Sequence, residues 1–407
     1  MTAPICLILN RLTDDYCRYP SYLDDLDARL WLVSTNVDSM PGYRRRDYHK
    51  VDLVPELGWA SVAKALEADP AAAAAVRHVV AISEYDLELG ATVREHLGIK
   101  GYSAEYVRRF RDKCYSKAMV AATGVRTPDW LPVSAGTSIG SIESRWRYPV
   151  VVKPIAGAAS SQVTVCRDRA ELRATLRGLD PEQEWEAETF VSAPLYHCDG
   201  YAEDGAVRFL SPSRYLGTCT AFNEGQPLAS VSVQHTPEAR ILADGVARVV
   251  AALGLQNGVF HLEAFIDQGE FVFLEIGHRP GGGEILPLVH RHTGVDLMSA
   301  AVRLCCDLRP LPAGVSPRSP AGSYGWLMCS AVGQSGKVVR RISAGGVLPA
   351  GVSIAHAAFP GQVIPADPEY DCTGLSAHIY AASPAEATAT IERLLDLVEI
   401  EYAAIEP

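Results

Sequence analysis

The chain lacks the marks of a secreted, membrane-spanning or nucleic-acid-binding protein. Its ten cysteines are scattered, form no C-x-x-C pair and include the neighbours Cys305 and Cys306. That is a poor framework for disulfides or zinc, so they read as reduced core residues. No apolar run approaches the roughly 20 residues that span a bilayer. The opening MTAPICLILN has neither a basic start nor a small-residue cleavage site, which makes the cytoplasm the expected compartment. Lys and Arg number 37 against 48 Asp and Glu, a net charge of -11, and this argues against a nucleic-acid backbone as partner. RRR at 44–46 and RRFRDK at 108–113 are the basic clusters; the first reads as a solvated loop. G-x-x-x-x-G-K-[ST] is absent, and no G-x-G-x-x-G follows the first apolar run, so neither a P-loop nor a dinucleotide site is expected.

At 407 residues the chain should divide into two or three domains. ICLILN, RLWLVS and HVVAIS repeat one shape, a short apolar run ending in a polar residue, and read as parallel strands. The helical stretches SVAKALEADPAAAAAV and LELGATVREHLG between them predict an α/β layer over about the first hundred residues. YVRRFRDKCYSKAMVAATG predicts one helix over 106–124, closed by Gly124. From Trp146 to about Arg309 the strands lengthen into hairpins turning at Asp204-Gly205 and Asp267-Gln268-Gly269-Glu270, an antiparallel pattern. After Pro310 the strands GWLMCSAV and HIYAAS and the capped helix SPAEATATIERLLDLVEIE predict a small α+β subdomain packed on the core.

The chemistry lies between Tyr148 and Pro280. Lys153 ends the run VVV, so its ammonium needs a partner: a phosphate, or water reached by snorkelling from the strand end. The loop IAGAASSQV that follows is either a plain turn or an anion cradle, with small residues that let backbone N–H groups approach and hydroxyls at Ser160 and Ser161. Glu263 and Glu275 sit within VFHLEAFI and FVFLEI on two strands of one hairpin. Each alone could face water, but paired they suit magnesium on nucleotide phosphates. Arg279 follows Glu275 by four residues, before Pro280 and three glycines; it could neutralise a phosphoryl group or oxyanion, or form a structural ion pair. His261 and His278 lie near these acids, but zinc would need an H-x-x-x-H spacing or a cysteine partner, and neither is in place.

With these residues the chain resembles the ATP-grasp superfamily, and within it the bacterial L-amino-acid ligases and related carboxylate-amine ligases of natural-product pathways. The resemblance covers about residues 104 to 305. It implies an α/β and α+β multidomain fold: a Rossmann-like N-terminal domain (1–103), a lid subdomain with linker helix (104–189), and a large catalytic subdomain (190–407) with a C-terminal extension from about 310. RDKCYSKAMVAATGVRTP matches the first nucleotide-lysine helix, with Lys113 as the match and Lys117 second, and YPVVVKP matches the second lysine at Lys153. Glu188, Thr189, Phe190 and Val191 match the hinge whose backbone reads adenine, and Leu274 the residue packed on the base. GLQNGVFHLEAF and FLEIGHRPGGG match the metal glutamates Glu263 and Glu275 and the arginine Arg279. Implied ligands are ATP with Mg2+ or Mn2+, and small carboxylate and amine substrates near Gln234, His235, His278, Gly281 and Gly282. Phe222, Asn223 and Glu224 are further candidates at the pocket border, or ordinary turn residues. A homodimer is a reasonable prior, and a carrier-protein or thiol acceptor, or nucleotide binding without turnover, are the alternatives.

The sequence departs from the family pattern at four places. Leu195 stands where an acid often holds the ribose, Gly277 where an asparagine often completes the metal site, Gln162 where the phosphate loop often has glycine, and Gln234 where a substrate-lining histidine can occur.

Overall fold

The computed structural model describes residues 3–13, 16–35, 47–365 and 373–404, and the basic run at 44–46 lies outside them. β1 (Ile5–Asn10) and β2 (Arg29–Ser34) are parallel neighbours. β3 (Lys50–Leu53) and β4 (Val76–Val80) complete a sheet in the order β3-β2-β1-β4. The central strand β1 is buried along its whole length because both faces of the sheet are covered. Ile5, Leu7 and Leu9 pack with the helices Trp59–Ala68 and Leu87–Leu97, while Cys6 and Ile8 pack with helix Leu297–Leu304.

Two expected helices are broken, each by an acidic cap. The stretch at 61–76 divides at Asp69, whose carboxylate accepts from the Ala72 N–H at 3.0 Å and starts a new helix at Pro70. The stretch at 106–124 divides into Ala104–Arg111 and Lys113–Ala121. Asp112 caps the second by accepting from the Tyr115 N–H at 2.9 Å, and this places Lys113 at the first helical position.

β5 (Trp130–Val133), β6 (Val150–Pro154), β7 (Thr164–Cys166) and β8 (Trp185–Thr189) form a small antiparallel sheet, β5-β8-β6-β7. The large sheet begins with β9 (Leu195–Glu203), β10 (Ala206–Leu216), β11 (Leu228–Ser232), β12 (Gly258–Asp267) and β13 (Glu270–Gly277), turning where the sequence predicted. The residues after Pro310 do not form a separate subdomain. β14 (Ser323–Ser330), β16 (Val352–Ala357) and β17 (Thr373–Ala381) continue the same sheet, giving β13-β12-β9-β10-β11-β14-β17-β16. Every residue of β11 is buried, and a buried strand needs a hydrogen-bonding neighbour on each side; β14 is that neighbour. The last helix, Pro384–Leu397, packs Ala387, Ile391 and Leu394 on this extension. It ends before VEIE, which enters β18 (Glu399–Ala404) against β15 (Lys337–Ser343). Among the described residues no helix is long and apolar enough to cross a membrane.

Candidate active site

Strand alternation sorts the large sheet into two faces. Tyr196, Cys198, Phe260, Leu262 and Ala264 pack with helix Pro237–Leu253, which sends His197, Asp199, His261 and Glu263 to the other face. The β12–β13 hairpin sets Glu263 directly opposite Glu275. The register then slips, Glu263 pairing with Glu275 and Ala264 with Phe273, so Leu274 is the extra residue of a β-bulge. Bulges re-aim side chains, and this one falls at the two adjacent residues assigned to base and metal.

The small sheet, through Lys153, and the helix Lys113–Ala121, through Lys113, bring cations to this acidic face. The Lys153 ammonium is 2.7 Å from Glu188 and 3.9 Å from Glu275. Burial alone would discharge it, but Glu188, Glu275 and Glu186 outweigh burial and raise its pKa. Lys113 lies 3.6 Å from Glu275 and donates to the Gly157 carbonyl at 2.7 Å. Lys117, the second choice on sequence, has no exposed side chain and donates to Glu186 at 2.8 Å and Glu188 at 2.6 Å. It is sealed by carboxylates, with no open side for a phosphate. The Glu188 carboxylate is spent on these lysines and its backbone lies between β5 and β6, whereas Phe190 and Val191 lie beyond the strand end.

The loop after Lys153 holds Ala159, Ser160 and Gln162 at φ of 54°, 52° and 59°, left-handed conformations uncommon outside glycine. Gln162 therefore takes a backbone shape that a glycine would take with less strain. Asn223 donates to the Ala159 carbonyl at 3.0 Å, which ties this loop to the short helix Cys219–Asn223.

Arg279 donates through Nε to Glu84 at 2.6 Å and through Nη1 to the Pro280 carbonyl at 2.8 Å. The other Glu84 oxygen accepts from Arg111 Nη1 at 2.6 Å. Burial would raise the Glu84 pKa, but Arg279 and Arg111 outweigh it and hold the group low and ionised. A Cβ on Gly281 would stand 2.4 Å from Asp199 Oδ1, so that backbone lies against the acidic face, while Gly282 is open.

Three substrate candidates have partners within the fold. His278 turns away from Arg279 into an aromatic cage of Tyr102, Tyr106 and Phe110. It is buried, and burial lowers its pKa to about 4. Gln234 donates to Tyr324 at 3.1 Å, and His235 is 3.1 Å from the Pro320 carbonyl.

Sequence reasoning passed over Glu84 and a buried network behind Glu263. Asp199 holds His197 Nδ1 at 2.6 Å and His261 Nδ1 at 2.8 Å, and His197 Nε2 is 2.7 Å from the Ser230 hydroxyl. His261 Nε2 reaches to 3.7 Å from Glu263. Burial disfavours charge on His261, but Asp199 outweighs it and lifts the pKa to about 9. His197, Asp199 and His261 present ligand atoms within 4.8 Å of one another, yet their mutual hydrogen bonds already satisfy them. The polar residues alternating in LYHCDG and HLE were the signal available in the sequence.

Two opposed carboxylates, of which Glu275 is a third exposed and lies 3.6 Å from the Lys113 ammonium and 3.9 Å from that of Lys153, fit a hard divalent cation such as Mg2+ bound together with phosphate. The small and large sheets thus bring Lys153, Glu188 and Glu275 together. Residues 146–287 match the family model described as ATP-grasp domain. The L-amino acid ligase of Bacillus licheniformis superposes with a TM-score of 0.71 at 19% identity, covering 99% of both chains. Phosphoribosylglycinamide synthetase of Anaerococcus prevotii gives 0.65 at 14% identity, over 98% of this chain and 99% of that one. By sequence the chain is 25% identical over 238 residues to an L-arginine-specific L-amino acid ligase of Bacillus subtilis, 56% of this chain and 57% of the relative. It is 26% identical over 147 residues to dapdiamide A synthase of Enterobacter agglomerans, 33% of this chain and 34% of the relative. The chain spans about half or less of the length of these curated relatives. The chain has the ATP-grasp fold, and the relatives it resembles include amino-acid ligases.

Proposed function

We propose that the chain is an ATP-dependent carboxylate-amine ligase acting on amino-acid-type substrates. The observation that carries this is the register pairing of Glu263 with Glu275 beneath Lys113 and Lys153, with Arg279 four residues on. The names of the relatives, an L-amino acid ligase and dapdiamide A synthase, agree with it.

Lys113, Lys153 and the Ser160–Ser161 loop would hold the triphosphate, Phe190 and Val191 would meet the adenine edge, and Leu274 would pack on the base. Glu263 and Glu275 would hold Mg2+, which supplies charge neutralisation on the phosphates when bound. A substrate carboxylate oxygen attacks the γ-phosphorus and ADP leaves, giving an acyl phosphate. The amine then attacks the acyl carbon, inorganic phosphate leaves with the bonding pair, and the nitrogen loses a proton to form the amide. Arg279 would stabilise the acyl phosphate and the tetrahedral adduct, and the Gly281–Gly282 backbone would offer N–H groups to an amino-acid carboxylate.

The test is phosphate release from ATP and Mg2+ across single and paired amino acids, with mass spectrometry of the products and Glu275→Ala as control. Pair-dependent release with a condensed product is expected. Nucleotide binding without release in any mixture, carrier-linked acceptors included, would overturn the ligase in favour of a nucleotide-binding protein. Arg279→Ala should lower turnover far more than ATP affinity.

A further inference from the structure

Gly277 is the last residue of β13, two residues after Glu275 and still paired with His261, and its φ is not left-handed. Conformation therefore does not require it. Glycine inside a strand marks a place where another group comes close, and here that group is Glu84. A Cβ on Gly277 would stand 3.0 Å from Glu84 Oε2 and 3.3 Å from Arg279 Cγ. A carboxylate tip can usually swing aside, but this one is fixed from two directions, by Arg111 at 2.6 Å and by Arg279 at 2.6 Å. Glu84 belongs to the turn after β4, in the N-terminal layer, so the volume beside the paired glutamates that a side chain at 277 would fill is taken from another layer of the fold.

We propose that Glu84 is the positioning residue for Arg279 and occupies space that a side chain at position 277 would contest. This rests on the ligase reading above and adds a component from outside the matched domain. Glu84 takes the Nε edge of the guanidinium and Pro280 takes Nη1, which leaves Nη2 to meet a phosphoryl or acyl-phosphate oxygen. Without the carboxylate, the fork has one anchor and no fixed direction. Gly277 and Glu84 form a matched pair: the glycine admits the carboxylate, and the carboxylate orients the arginine.

Calorimetric binding of MgADP, and of MgADP with fluoroaluminate as a mimic of the phosphoryl group in transit, tests this without knowledge of the substrates. Glu84→Gln keeps the shape and removes the charge. Gly277→Ala keeps the charge and displaces the carboxylate. Each should weaken the fluoroaluminate complex by about ten-fold or more while MgADP alone changes by no more than about two-fold, and retained MgADP binding shows that the variant has folded. Glu84→Ala combined with Gly277→Asn should recover part of what Glu84→Ala loses, because the new amide oxygen can accept from Arg279. Wild-type fluoroaluminate affinity in Glu84→Gln, with a clear loss in Arg279→Ala, would overturn the positioning role and leave the ligase reading standing. No loss in Arg279→Ala would overturn both, and no MgADP binding by the wild-type chain would overturn the nucleotide site itself.

Discussion

Lys117 and Lys153 approach the same two glutamates and meet opposite surroundings. Lys117 is fully buried with a carboxylate on each side, so its charge is spent inside the fold. Lys153 shares Glu188 with it but also lies 3.9 Å from Glu275, whose carboxylate is a third exposed. A buried lysine is therefore not in itself a sign of a binding site. One closed ion cluster holds Lys117 within the small sheet, and Lys153 extends that cluster to the partly exposed Glu275.

The largest expected effect tests the open side. Glu275→Ala should reduce ATP turnover by roughly a thousand-fold, as expected for loss of several kcal/mol of charge stabilisation, as read by phosphate release. Next comes the closed side. Lys117→Met leaves two buried carboxylates with one cation and should cost about 3–5 kcal/mol in urea unfolding. Lys153→Met should instead raise the ATP dissociation constant about ten-fold, the loss of one charged contact. Equal stability losses in the two variants, with ATP affinity unchanged, would erase the distinction between them.

A third test concerns His278, which shares a peptide bond with the proposed catalytic arginine and faces the other way. Its ring has a folded pKa of about 4 against an ordinary 6.5. Above pH 6.5 neither the folded nor the unfolded ring binds a proton, and stability is unaffected. As pH falls through that value the unfolded chain takes up a proton that the folded chain refuses. Stability then drops by roughly 3 kcal/mol between pH 6.5 and 4. His278→Phe should flatten that part of the pH–stability curve, and an unchanged slope would place the titration elsewhere. The smallest effect belongs to the exposed Arg126, which pairs with Asp267 and Glu270 at the tip of the β12–β13 hairpin. Arg126→Ala should cost under about 1 kcal/mol in the same unfolding assay and less in high salt.

What the sequence made legible was local. The period of two in VFHLEAFI, the hairpin turn and the run VVVK are written in neighbouring residues, and the structure pairs Glu263 with Glu275 and brings Lys153 to Glu275. The broken helices were half legible: Asp69-Pro70 announces a stop, whereas Asp112 interrupts a continuous helical pattern and acts through its cap. What stayed hidden depends on distance along the chain. Glu84 meets Arg279 across 195 residues, and no local pattern encodes that meeting. Position 277 showed an absent side chain without showing what fills the space. Residue type singled out Arg279 but could not show where His278 points: the chain turns at the end of β13 and sends His278 into an aromatic cage and Arg279 toward Glu84.

The order of strands in the large sheet also bears on how the protein is born. β1 to β4 are complete within the first 80 residues and can assemble while synthesis continues, since domains generally fold as they emerge, N-terminal first. β11 waits for β14, and β14 waits for β17, which ends at Ala381. Until then the wholly buried strand at 228–232 keeps an open edge, the kind that pairs with other chains. A ribosome stalled at about residue 310 would thus hold a chain whose β12–β13 hairpin is already made and whose sheet is not closed. Such truncated chains should be recovered as aggregates, and the last hundred residues act as the seal on an edge laid down long before them.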